Sequence, residues 1–338
     1  PVRHNEDNYN EIFVKLLPIN PASNDWLSSN VKTHLLFQAH LSNAKMPCSD
    51  YITDLKSALD NALRLLQAML DICVVNNYLK TSISIVRLMQ GITMAHWPNI
   101  SFSHSFISQK INQTMINSNK DKPTFVQIDE SLDQRKDSKF KFFNSTPFAK
   151  IVEDWNSGDI GKIYRFFNGD QKTADFLSKI PQYSVTLYDK KTRESIKLCS
   201  YQEPLNDEST WNKIKAVDQE QIDDDDEEEN DTNKNYDYNL QLTLKKLNKE
   251  SKNRIHAAAP KFVKPKLEGW IVILYERNSG DLISLKRINS IRKDRAIETL
   301  SIDISEMERG KRYIYTLLVM SDSYLDIDQM YDFRFEMV

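Results

Sequence analysis

Apolar residues recur every three or four positions through the first third of the chain and every second position through the last. Four stretches within residues 1–118 carry the helical spacing: Glu11 to Leu17, Val31 to Leu41, Tyr51 to Val75 and Ser82 to Met94. The third is the longest and clearest. Ser49 or Asp50 is placed to cap its start. At 100° per residue, Leu55, Leu59, Ala62, Leu66, Met69, Leu70 and Cys73 fall within an arc of roughly 100°. Asp60, Arg64, Gln67 and Asp71 fall within roughly 60° on nearly the opposite side. A long amphipathic helix with one narrow polar stripe predicts a helical bundle over residues 1–118.

Residues 119–179 predict a smaller unit. After a polar connector, Thr146-Pro147-Phe148 opens a short helix, with Thr146 as cap and Pro147 in the first turn. Phe148, Ile151, Val152 and Trp155 supply its apolar face. Asn156-Ser157-Gly158 breaks it, and Ile160, Ile163, Tyr164, Phe166 and Phe167 begin a second, so the spacing predicts a helix-loop-helix. From about residue 180 the period becomes two. Val185 and Leu187, Ile196 to Ser200, Leu240 to Leu244, Trp270 to Tyr275, Leu282 to Ile288, Leu300 to Ile304, Tyr313 to Val319 and Tyr331 to Met337 read as strands with no helix between them. In the last, Asp332, Arg334 and Glu336 alternate with the apolar residues, the pattern of a half-buried strand. Residues 180–338 therefore predict an antiparallel sandwich of immunoglobulin or fibronectin type III kind. The fold class is multidomain, α followed by all-β.

Charge changes this picture in one place. Residues 218–231 carry ten acids and no base, and without them the formal net charge of −3 becomes +7 on the other 324 residues. Such a run repels itself and has little to bury, which predicts a disordered acidic insertion at about 206–234 within the sandwich. Lys245, Lys246, Lys249, Lys252, Arg254, Lys261, Lys264 and Lys266 form the one basic stretch. It reads either as a holder of phosphate oxygens or as a solvated loop that offsets the acidic run.

Candidate chemistry is sparse. None of the seven glycines precedes Gly91, and Gly158-Asp159-Ile160-Gly161-Lys162 lacks the spacing of a phosphate-cradling loop. Cys48, Cys73 and Cys199 are odd in number and far apart, as reduced thiols are. The six histidines show no metal spacing, and no nucleophile stands beside a base. The residues therefore predict no catalytic site, no cofactor, no metal and no small-molecule ligand. No apolar run is long enough to cross a membrane. The opening Pro1-Val2-Arg3-His4 reads as part of a longer chain.

Several strings together resemble one known family. They are Pro1-Val2-Arg3-His4-Asn5-Glu6-Asp7, Val31-Lys32-Thr33-His34-Leu35-Leu36-Phe37-Gln38-Ala39-His40-Leu41-Ser42 and Ala62-Leu63-Arg64-Leu65-Leu66-Gln67-Ala68-Met69-Leu70-Asp71-Ile72. Ala259-Pro260-Lys261-Phe262, Glu268-Gly269-Trp270, Leu282-Ile283-Ser284-Leu285-Lys286-Arg287 and Met320-Ser321-Asp322-Ser323-Tyr324 complete the set. In order and spacing they resemble the Sec63 homology unit of Ski-type superfamily-two RNA helicases, nearest to the terminal unit of the spliceosomal, U5 snRNP branch. Asn77-Tyr78-Leu79 departs from the Gly-Trp-Leu usual there, and the acidic insertion is foreign to the family.

The resemblance implies the same three parts, a nuclear location and a role in pre-mRNA splicing. The parent would be an ATP-dependent RNA helicase, and this part a non-catalytic platform for protein–protein interaction and regulation. Its implied partners are other spliceosomal proteins and the helicase's own motor cassettes, with RNA bound weakly at most. In active members the long helix acts as a nucleic-acid ratchet. That function carries over to Arg64 and Gln67, and a ratchet that grips RNA is the alternative reading. The polar stripe holds two acids against one base, and Asp60 and Arg64, four apart, are expected to pair on its surface.

Overall fold

In a computed structural model the described residues are 2–99, 179–181, 183–200, 208–214, 237–247, 255–289, 291, 295–305 and 307–338. The expected helix-loop-helix and most of the acidic insertion lie outside them. Four helices come first: α1 (Glu6–Val14), α2 (Ser29–Ser42), α3 (Ser49–Val75) and α4 (Leu79–Met94). The β half follows, with β1 (Tyr183–Asp189), β2 (Ser195–Ile196), β3 (Cys199–Ser200), β4 (Trp211–Ile214), β5 (Asp237–Lys246) and β6 (Trp270–Glu276). It closes with β7 (Leu282–Ile288), β8 (Arg295–Asp303), β9 (Arg312–Ser321) and β10 (Gln329–Met337).

The helix boundaries follow local chemistry. Ser28 caps α2, accepting from Asn30 N, and Asn43 ends it in the left-handed region. Ser49 and Asp50, expected as caps, are instead the first two residues of α3; Cys48 holds the cap position with no side-chain bond. The turn from α3 to α4 needs Asn77 at φ 57°. Glycine is the usual residue for that conformation and asparagine tolerates it. Here its side chain also reaches the β half, donating to Asp281 Oδ1 at 2.8 Å and accepting from Leu282 N.

The strands form two sheets. One runs β2-β1-β5-β8, and the other runs β3-β10-β9-β6-β7 with β4 also paired to β10. All pairs are antiparallel except β4 with β10. Residues 196–200, expected as one strand, divide: Ile196 pairs with β1 and Cys199 with β10, so this stretch crosses between sheets. Leu187, Leu242 and Leu300 of the first sheet share a core with Val272, Leu317 and Phe333 of the second. The two sheets therefore face each other over one apolar layer.

The other face of the second sheet carries the helices. Ile271, Ile273, Tyr275, Leu318 and Met320 fall in the same cluster as Leu35, Tyr51, Leu59, Leu70, Val86 and Met89. That explains the unbroken apolar run of β6, because its odd residues meet the helices and its even residues the other sheet. Helices and sheets are thus three layers with the second sheet in the middle, joined more closely than a bundle beside a sandwich.

Two expectations need correction. The insertion begins later than residue 206, since 208–210 form a 3₁₀ turn and 211–214 form β4, with Ile214 in the core. The outer face of β10 is also buried. Asp332 accepts from Thr316 Oγ1 at 2.7 Å and pairs with Arg277, while Arg334 donates to Thr210 Oγ1 at 2.6 Å. Both polar side chains are covered because neighbouring segments close over them and supply partners, as buried ions require.

Candidate functional site

The long helix presents three faces. Its core face buries Leu55, Leu59, Leu66, Leu70 and Cys73, as the helical arc predicted. Met69, placed on that arc, lies at its edge and is 48% exposed. Arg64 and Gln67 are exposed.

The polar stripe does not stand alone. Asp60 pairs with Lys264, and Asp71 Oδ1 lies 2.7 Å from Arg287 Nη2. The same guanidinium donates to the carbonyl of Gln67 at 2.7 Å. Together with Asn77, these contacts fasten the stripe to β7 and the segment before β6 along about 16 Å of helix. The expected Asp60–Arg64 pair is absent, because Lys264 takes the carboxylate. Arg64 forms no ion pair with another described residue and stands between Lys264 and Arg287. These pairs are partly or largely exposed, so each contributes little to stability. Their effect is to fix the sheets' edge against the helix.

The third face escaped the sequence reading. Leu65, Met69 and Ile72 follow one another at spacings of four and three, and are 64%, 48% and 61% exposed. They form an apolar row on a different side of the helix from the polar stripe, nearly opposite Gln67. The row's spacing is visible in the sequence, but the core arc takes in only Met69 of the three.

The remaining motif residues hold the fold. Arg3 binds Asp54 through two bonds of 2.7 and 2.9 Å, while buried Lys32 reaches Glu6 and Asp54, each at 2.6 Å. Hydrogen bonds from Arg3, helped by Lys32, hold the Asp54 carboxyl well below the usual range. Gln38 exchanges bonds with the backbone of Ile19, and buried His40 bonds to the carbonyl of Ile92. The second group converges at the end of β6. Gly269 N donates to Asp322 Oδ1 at 2.8 Å, and a Cβ on Gly269 would stand 2.5 Å from Asp322 Oδ2. Tyr324 OH accepts from Ala258 N at 2.6 Å, and Ser321 Oγ accepts from the nitrogens of Ser323 and Tyr324. Tyr183 OH donates to Glu268, whose Oε1 lies 3.3 Å from buried Lys246.

One buried acid ties this cluster to α4. Asp328 Oδ1 accepts from Gln90 Nε2 at 2.8 Å and from Ser321 N at 3.0 Å. Burial pushes its carboxyl up to about 7, with a lesser push from Asp326, against the pull of these two bonds and of Arg87.

Three of the five described residues of the basic stretch are engaged in such contacts. Lys246 is buried on Glu268, Lys264 pairs with Asp60, and Lys266 lies 2.7 Å from Asp322. Lys249, Lys252 and Arg254 lie outside the described residues. Among those described, no group of three or more His, Cys, Asp or Glu is placed to hold a metal, and no helix is long and apolar enough to cross a membrane.

Comparison with known proteins agrees with the motif set on the family but not on the nearest branch, since identity is higher to a cointegrator subunit than to the U5 helicase. The chain is 33% identical over 358 residues to activating signal cointegrator 1 complex subunit 3 of Rattus norvegicus, covering 98% of this chain and 14% of that protein. It is 25% identical to the DExH-box ATP-dependent RNA helicase DExH14 of Arabidopsis thaliana, covering 97% of this chain and 12% of that one. It is also 25% identical to the U5 small nuclear ribonucleoprotein 200 kDa helicase of Homo sapiens, covering 98% and 12%. The chain thus spans less than one-sixth of each of these relatives. The Sec63 Brl domain profile matches residues 1–334, a span that takes in every one of the motif strings, and the chain belongs to the Sec63 Brl domain family.

Proposed function

We propose that this chain is a non-catalytic module of an ATP-dependent, Ski-type RNA helicase and serves as a protein-docking and regulatory platform. The exposed row Leu65, Met69 and Ile72 carries the reading. An apolar helix face is a surface that another protein's apolar residues can cover. A phosphate-tracking groove needs a run of cations, and here Lys264 and Arg287 are engaged by Asp60 and Asp71. The two facing sheets we read as a fibronectin type III-like sandwich, and residues 119–179 as the helix-loop-helix that the spacing predicts.

Two assemblies are named among the relatives, a cointegrator complex and the U5 particle. The higher identity to the cointegrator subunit supports partners from a complex of that kind. The U5 helicase supports the nuclear, splicing role that the motifs imply, with other spliceosomal proteins and the motor cassettes as partners. The RNA ratchet remains the second reading, supported by the unpaired Arg64 between two further cations.

The test is capture of purified subunits of the two assemblies by the immobilised chain at low and high salt. One subunit should be retained at both, and Leu65→Asp with Ile72→Asp should release it while the circular dichroism spectrum is kept. Retention by the double variant as strong as by the parent would overturn the reading. So would RNA binding that drops tenfold on Arg64→Ala.

A further inference from the structure

β4 is an unusual strand. It has four residues, it pairs with β10 alone, and it supplies the parallel pairing of the second sheet. It stands between residues 201–207 and 215–236, both outside the described set. β3 covers Tyr331 and Asp332 on the same edge of β10, and β4 covers Arg334 to Met337. Without β4, that second stretch would be an open edge of the kind that binds an added strand.

The way this segment is held resembles ligand recognition more than sheet packing. Arg312 clamps both carboxylate oxygens of Glu208, at 3.0 and 2.6 Å. Trp211 lies under two guanidinium groups, with Arg312 Cζ 4.7 Å and Arg334 Cζ 6.0 Å from its ring centre. Ile214 fills an apolar seat at the end of β10 and closes the pairing, its carbonyl accepting from Val338 N at 2.8 Å. The fit of the aromatic is imperfect, for the buried indole N–H of Trp211 has no hydrogen-bond partner among the described residues. A competing aromatic without that N–H would avoid burying that donor.

We infer that the edge of β10 is a peptide-docking groove occupied by the chain's own residues 208–214. The partner it fits is an extended segment running parallel to β10, with an acid, then an aromatic three residues on, then an aliphatic three residues further. The acid meets Arg312, the aromatic meets the two guanidinium groups, and the aliphatic takes the seat of Ile214. Backbone pairing supplies the rest of the affinity, and the three side chains set the register. This groove is on the β half, separate from the α3 row, so its failure leaves the platform reading standing.

The probe is a labelled ten-residue peptide copying residues 206–215, with Phe in place of Trp211, titrated into the full chain. Trp211→Ala, which weakens the resident strand, should bind it at least tenfold more tightly than the parent. Glu208→Ala, which removes only an exposed carboxylate, should give a smaller gain in the same direction. Adding Arg312→Glu to Trp211→Ala should cost at least tenfold, and a peptide with Lys in place of Glu208 should recover most of that loss. Equal binding by the parent and both single variants would overturn the proposal. So would indifference to Arg312→Glu, or failure of the charge-reversed peptide to rescue it.

Discussion

Asp328→Asn tests whether a buried carboxyl sets the pH dependence of the joint between α4 and the second sheet. An ordinary aspartate titrates near 3.8, whereas Asp328 does so at about 7, chiefly because it is buried. Its folded form binds the proton more tightly than its unfolded form. Its contribution is therefore fully favourable below the unfolded value and is lost as pH rises towards the folded one. Three pH units at 1.36 kcal/mol each give about 4 kcal/mol of stability lost between roughly pH 4 and pH 7. Asparagine keeps an oxygen for Gln90 Nε2 and Ser321 N, but it cannot ionise. It brings N–H groups that need acceptors, a cost of about 1–3 kcal/mol that does not vary with pH. The gap between parent and variant should therefore move by about 4 kcal/mol in the variant's favour over that window. Urea unfolding at pH 4, 5.5, 7 and 8 measures it, and taking the difference removes every other titrating group the two proteins share. A gap that stays constant from pH 4 to pH 8 would refute the reasoning.

Gly269→Ala should destabilise by about 1–3 kcal/mol, since the new Cβ presses on an Asp322 carboxylate already held by Lys266 and by Gly269 N. An unchanged urea midpoint would count against that packing. Leu318→Ala should cost about 2–5 kcal/mol and lower the far-ultraviolet helical signal and the tryptophan fluorescence transition together, because Leu318 lies in the core shared by helices and sheet. Helices that persist while the sheets melt would show the layers to be independent. Arg64→Ala and Gln67→Ala should each change single-stranded RNA binding less than about twofold, from a parent affinity in the nonspecific range of roughly 10⁻⁴ to 10⁻⁶ M at physiological salt. Fluorescence anisotropy reads this directly, and a tenfold loss from either would favour the ratchet.

Trp270 to Tyr275 shows how far a one-dimensional pattern reaches. Six consecutive apolar residues announced a strand, and β6 spans Trp270–Glu276. They did not announce that its two faces serve different layers, because period two carries no information about what lies opposite. In β10 the same limit produced an error. Asp332 and Arg334 alternate with phenylalanines as solvent-facing residues do, yet both are buried. Their cover comes partly from β4, whose four residues are too few to display a period. On α3, the exposure of Arg64 and Gln67 was legible from the helical arc. The partners of the stripe were not, since Lys264 lies 204 residues from Asp60 and Arg287 lies 220 from Gln67. The family motifs were legible as a set, but their work was not: Gly269 and Asp322 belong to separate strings and meet only in the fold.

That division of labour bears on what α3 can do. The helix cannot roll to present a different face, because its core side is shared with the second sheet and its polar side is tied to Lys264, Arg287 and the Asn77 turn. Whatever meets this module on the helix therefore meets one of two fixed surfaces, the row Leu65, Met69 and Ile72 or, round the helix from it, the side that carries Arg64 and Gln67. A rigid surface costs a partner little ordering entropy, which favours protein docking. The same rigidity is what a ratchet would use, so stiffness does not separate the two readings. Charge does. Asp60 and Asp71 hold the nearest cations, and one free guanidinium in about 16 Å of helix is too sparse to follow a phosphate chain. The apolar row is continuous over about 10 Å, and covering it is the larger gain that a binding partner can make on the helix.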